Sequence, residues 1–233
     1  MIRLLYILIV CGCISAKAQN IGVEPKTGES GTHYTFFRKN NCHIQFQTNR
    51  PSKVDTQVVL CIPAAFTNLQ NFQVDGIYAV DGKIGNRGKI NTGLGGVFMI
   101  DHKGCRMFQS QKGKLFSDSL FKIIEATKAS FFQQIQCIQN GKAASFKDQK
   151  LFQRRGIALM KDNSVAVVES TEAITLAVFS EDLVKLGVVN LIYTDMGAWD
   201  EGWYRDPKTR KILTIGKDLS QTGRQSNWIV FKK

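Results

Sequence analysis

Short segments, either alternating apolar and polar or continuously apolar and bounded by turn residues, fill most of the chain and read as β-strands. "CHIQFQTN" alternates. "QVVLCIPAAF" is a continuous apolar run, as expected of a strand covered on both faces. "VDGIYAVDGKI" carries Asp-Gly at both ends and reads as turn, strand, turn. "GGVFMIDHKGCRMF" reads as a hairpin turning at His102-Lys103-Gly104, and "RRGIALMKDNSVAVVES" as another turning at Lys161-Asp162-Asn163. "KILTIG" and the terminal "NWIVFKK" add further strands.

Two helices interrupt this pattern. One is expected to start near Ser117-Asp118, where either residue suits an N-cap, with Leu120, Ile123, Ile124 and Phe131 on one face. The other is expected to start at Ser180, with Glu181 and Asp182 in its first turn and Gly187 as its stop. It runs directly into "VVNLIYTD", a helix followed by a buried strand with polar residues at the strand end. These elements predict one α+β domain: a large mixed sheet, mostly antiparallel, with a few helices packed on it.

The N-terminus changes the compartment. Arg3, the apolar run Leu4 to Cys13 and Ala16-Lys17-Ala18 read as a secretory signal peptide over residues 1–18, cut before Gln19. The apolar run is about ten residues, where a bilayer span needs roughly twenty. Lipid attachment at Cys13 is the competing reading, with Cys11 poorly placed two residues earlier. Removal of residues 1–18 leaves 215, enough for one well-buried domain over 19–233. No later stretch reaches membrane-spanning length, so a periplasmic or secreted protein is expected. The formal charge of +12 falls to +10 with Arg3 and Lys17 gone, a field that attracts anionic ligands. No nucleic-acid motif accompanies it, and no nucleic-acid partner is expected. Cys42, Cys61, Cys105 and Cys137 form no C-x-x-C pair and His33, His43 and His102 are scattered, so no metal site is expected. "TGLGG" lacks the Lys-Ser/Thr of a P-loop, and no G-x-S-x-G occurs.

The stretch "IYTDMGAWDEGWYRD", Ile192 to Asp206, holds the densest chemistry: Asp195, Asp200, Glu201, Asp206, Arg205, Trp199 and Trp203. Asp195 ends an apolar run, so its carboxylate is partly desolvated and suited to acid, base or nucleophile work; a turn-capping Asp is the plainer alternative. Asp200 and Glu201 stand between two indoles, an arrangement that suits sugars: hydroxyls bond the acids and C–H faces pack on Trp199 or Trp203. The plainer alternative is a surface loop whose tryptophans pack back on the domain. Arg154, Arg155, Arg205 and Arg224 near element ends could hold an anion.

In order along the chain, "PAAFT", "YAVDGKI", "GGVFMI", "QCIQNGK", "RRGIAL", "LGVVNLIYTDMGAWDEG" and "RQSNWIVF" resemble the segments of the phosphodiester glycosidases. That family is related to the enzyme that uncovers mannose 6-phosphate by removing N-acetylglucosamine. The resemblance covers residues 58 to 231. It implies that Arg155 matches the family Arg, Asp195 and Gly197 the D-G-G loop, and Arg224 and Asn227 a C-terminal R…N pair. Pro63, Met196 and Ala198 depart from the pattern, standing where the family has Asn, Gly and the start of Gly-Ser-Ser.

The resulting expectation is an exported hydrolase of a sugar-phosphate or related glycosidic bond in envelope or extracellular glycans, with no cofactor. Asp195, Arg155 and Glu201 would be catalytic. Asp200, Trp199, Trp203, Arg205, Arg224 and Asn227 would bind substrate. The alternative is a non-catalytic glycan-binding protein on the same fold, which the altered loop positions favour.

Overall fold

The computed structural model describes residues 20–198 and 200–233. The first half contains β1 (Asn20–Thr27), β2 (His33–Asn40), β3 (His43–Gln47), β4 (Val58–Pro63), β5 (Tyr78–Val80), β6 (Lys83–Gly85), β7 (Gly96–Asp101) and β8 (Gly104–Gln109). After α1 (Asp118–Thr127) come β9 (Ser130–Gln134), β10 (Gln136–Gln139), β11 (Lys142–Ala143), β12 (Phe152–Met160) and β13 (Val165–Ile174). Then follow α2 (Leu176–Lys185), β14 (Val188–Tyr193), β15 (Gly202–Arg205), β16 (Ile212–Ile215) and β17 (Trp228–Lys232).

Among the described residues these strands form three sheets, ordered β1-β2-β13-β12-β14-β10-β11, β16-β15-β4-β17-β3 and β6-β5-β9-β7-β8. The expected α+β domain with one large mixed sheet is therefore corrected. Among the described residues the strand pairings are antiparallel, and the α-helices are two of ten residues each. The helix-then-strand signal had a local cause. Strands β13 and β14 both pair antiparallel with β12, which lies between them, and α2 carries the chain across. One crossover helix thus mimics a mixed fold inside a sheet-dominated one.

The three sheets share a central core that includes Phe37, Leu60, Ile62, Phe98, Phe132, Ile157, Val167, Ile192, Ile229 and Phe231. Successive residues of β14 alternate faces: Ile192 enters this core, whereas Leu191 and Tyr193 enter a second one beneath Phe179 and Leu183 of α2. Double-sided burial explains the continuous apolar runs of β12, β13 and β14. Helix α1 covers the outer face of the third sheet through Phe121 and Ile124.

Both helix expectations need adjustment. Ser117 caps α1 as read, its hydroxyl accepting from Leu120 N–H at 3.3 Å. The helix ends at left-handed Lys128, so Phe131 belongs to β9, and Ile123 points outward at 58% exposure. Helix α2 begins a turn earlier than expected, with Thr175 accepting from Val178 N–H at 3.2 Å. Ser180 and Asp182 are interior, buried residues of that helix. The Asp182 carboxylate accepts from Tyr34 OH (2.8 Å) and Ser30 N–H (3.1 Å) and so pins the β1–β2 turn to α2.

Candidate active site

Strand β14 delivers Asp195 to the junction of the first two sheets. Thr194 N–H still donates to Arg155 O of β12 (3.2 Å), and Asp195 N–H donates to Ala64 O, just past β4 (2.9 Å). The Asp195 carboxylate is 5% exposed. Its Oδ2 accepts from Thr67 N–H (3.0 Å) and its Oδ1 from Met196 N–H (3.1 Å). Burial pushes this carboxyl up to about 7; the Thr67 and Met196 donors pull the other way, and the Asp200 carboxylate adds to the rise.

Arg155 lies behind it, fully buried. Nη1 and Nη2 grip the two oxygens of Asp200, the latter at 2.9 Å, and Nε donates to Glu169 Oε2 at 2.6 Å. Glu169 is directly across the β12–β13 ladder from Arg155, and its other oxygen accepts from Gln153 Nε2 at 2.8 Å. Burial works against the Arg155 cation, but the attraction of Asp200 and Glu169 outweighs it and holds the guanidinium charged. The loop admits this arrangement only with glycine nearby: Gly216 has φ +93°, and a Cβ there would fall 1.8 Å from Asp200 Oδ2.

Asn227, fully buried, locks the other side. Its Oδ1 accepts from Ala65 N–H (2.7 Å) and its Nδ2 donates to Ala65 O (3.0 Å). Asn227 thus fixes the backbone turn whose Thr67 amide holds Asp195. It reads protein backbone rather than facing ligand.

Asp195, Asp200 and Arg155 are therefore brought together, with Asn227 behind them. The other expected site residues separate. Glu201, just before β15, turns away from the cluster and pairs with Arg50 and, at 3.4 Å, with Lys53 Nζ. Trp203 is 1% exposed in a core with Val58, Cys61, Trp228 and Val230, and offers no indole face to a sugar. Asp200 and Glu201 both precede β15, and the chain there turns the first to Arg155 and the second away from it. Arg205 is buried at the far end of β15, donating to Lys53 O (3.0 Å) and Val58 O (3.5 Å). Arg224 is exposed, stacked 4.8 Å from the Phe72 ring centroid. Trp199 lies outside the described residues.

A cleft of about 650 Å³ opens beside this cluster, with Asp200 in its lining. Phe66, Ile135, Leu151, Phe152, Arg154, Tyr193, Met196, Gly197, Asp200 and Lys217 contribute to its wall. Sequence reasoning missed Glu169, Tyr193 and Phe66. Glu169 had a signal, a lone acid inside the apolar run "VAVVES", at the register position facing Arg155. Phe66 and Tyr193, with ring centroids 6.1 Å apart, had none.

The sequence matches no family model and no curated protein. Several solved structures share the fold, among them these two. One is the catalytic domain of zebrafish N-acetylglucosamine-1-phosphodiester alpha-N-acetylglucosaminidase, auto-inhibited by its pro-peptide. It aligns at TM-score 0.60 and 11% identity over 94% of this chain and 85% of that one. The other is a hypothetical protein from Synechocystis, at TM-score 0.60 and 11% identity over 93% of this chain. This chain spans 63% of that protein's length. The fold is thus one that a glycosidase catalytic domain also uses, and the relationship is distant.

Proposed function

We propose that this protein is an exported glycosidase-type hydrolase acting on a glycosidic bond, with Asp195 as its proton donor. The observation that carries this reading is the placement of Asp195: a buried carboxyl raised to about 7, near the Asp200–Arg155 pair and directly behind Met196, which with Asp200 lines a cleft large enough for a sugar. Paired carboxylates with unlike environments are what glycoside hydrolysis needs. Asp195 gives its proton to the glycosidic oxygen, the C–O bond breaks, and water adds hydroxyl to the anomeric carbon while its released proton restores Asp195. The Asp200 carboxylate, partly neutralised by Arg155, faces the positive charge that develops on the sugar. Arg155 is a positioning residue: its donors are spent on Asp200 and Glu169.

One observation favours the second reading, a glycan-binding protein without turnover. Both Asp195 oxygens already accept backbone N–H groups, so the carboxylate also serves as a structural cap. Turnover decides between them. Release of sugar from glycoside and sugar-1-phosphodiester panels, abolished in Asp195→Asn, supports the hydrolase; retention on immobilised glycan with no release supports the binder.

A further inference from the structure

The cleft is built for one kind of leaving group. Resting on the hydrolase reading above, we infer that it receives an uncharged, apolar aglycone, aryl or alkyl, rather than a phosphate ester. Its walls carry Phe66, Ile135, Leu151, Phe152, Leu176 and Met196. Leu151 and Phe152 stand at the start of β12 with 62% and 51% of their surface exposed, an apolar lip that a bound group would cover.

The charges point the same way. Among the described residues lining the cleft, the cations are Arg154 and Lys217, against the carboxylates Asp148, Asp200 and Asp218. Both cations donate to neutral oxygens of the chain and keep their charge. Arg154 donates from Nε to Ile174 O (2.9 Å), from Nη2 to Lys150 O (2.7 Å) and from Nη1 to Tyr193 OH (3.3 Å). Lys217 Nζ donates to Thr171 O (2.7 Å). Arg155 is closed behind Asp200, and Arg224 is engaged on Phe72. With Asp200 paired to Arg155, the charges of Arg154 and Lys217 are balanced by Asp148 and Asp218, so a phosphodiester would bring a full negative charge into an apolar-walled cleft with no net positive charge to meet it, a costly desolvation. A neutral aglycone has no such requirement. It is a poor leaving group without a proton, the proton that the hydrolase reading assigns to Asp195.

The test compares one ring with and without the charge. Binding of 4-methylumbelliferone and of 4-methylumbelliferyl phosphate at pH 6 is followed by fluorescence in the wild type and in a Leu151→Ala/Phe152→Ala double variant. The thermal midpoint of the double variant checks its fold; both positions are exposed, and little change is expected. The neutral ring should bind more tightly than its phosphate, and the double variant should bind it roughly tenfold more weakly. Tighter binding of the phosphate, or equal binding by wild type and variant, overturns the inference. A parallel turnover panel of 4-methylumbelliferyl glycosides and sugar-1-phosphodiesters separates the two levels. Coumarin binding without any turnover keeps the apolar site and removes the hydrolase. Turnover restricted to phosphodiesters keeps the hydrolase and overturns the aglycone assignment.

Discussion

At the scale of residues, Asp195 and Arg155 carry the argument, and each makes a prediction. Folding raises the Asp195 carboxyl from its ordinary 3.8 to about 7. Between those values the folded chain keeps a proton that the unfolded chain has released, so stability falls as pH rises through the window and levels off above it. The effect is at most about 4 kcal/mol. Asp195→Asn cannot titrate, and its NH2 meets one of the two backbone donors that the carboxylate accepts. The variant should therefore be less stable than wild type at pH 5, with the gap narrowing by pH 8, as thermal melts across that range would show; a constant gap would mean Asp195 does not titrate there. Any hydrolysis should decline above about pH 7 if Asp195 is the acid. Arg155→Lys replaces a two-pronged grip on Asp200 by a point charge and leaves a buried carboxylate short of donors. A loss of about 3–5 kcal/mol is expected, and a midpoint lowered by about 10 °C or more. A surface arginine would lose almost nothing, so a melt of Arg155→Lys within a degree of wild type would contradict the buried clamp.

Elements were readable to the extent that their signals were local. The hairpins turning at Lys103 and Asn163 needed only turn residues between apolar runs, and Ser117 needed only to precede a periodic face. Helix α2 misled because Ser180-Glu181-Asp182 looks like a helix start, yet Asp182 is drawn inside to hold Tyr34 and Ser30 of a distant hairpin. Its real cap is Thr175. Thr175→Ala should cost about 1 kcal/mol, lowering the midpoint by about 3 °C. No change there would return the start of the helix to Ser180. The candidate site was only half visible for a similar reason. Asp195 and Asp200 stood out by position, whereas Glu201 and Trp203 were grouped with them by sequence proximity. Trp203 of β15 packs into the Trp228 core, and Glu201, just before that strand, pairs with Arg50 and Lys53.

Over the whole molecule, three sheets packed around several apolar cores leave the cysteines as small apolar residues rather than linkers. Cys42, Cys61, Cys105 and Cys137 are free thiols. Burial pushes Cys137 up to about 12 and Cys61 higher still. Neither should react with Ellman's reagent at pH 8 until the chain is unfolded in guanidinium, when both should count. Native-state modification of Cys61 or Cys137 would show that the core opens more readily than its packing implies.

The amino-acid sequence by itself determined what depends on neighbours a few residues apart: strand and turn periodicity, one helix cap, the carboxylate at the end of β14, and the ordered segments whose fold proved to be shared with a glycosidase domain. Tertiary structure decided what depends on register and on which face a strand presents. It divided the strands among three sheets, set Glu169 opposite Arg155, enclosed that arginine between two acids, put Trp203 into the core, and opened an apolar cleft beside Asp200. Those outcomes rest on contacts between residues far apart in the chain, such as Asp195 with Thr67 or Ala65 with Asn227, and the local pattern of either partner carries no record of the other.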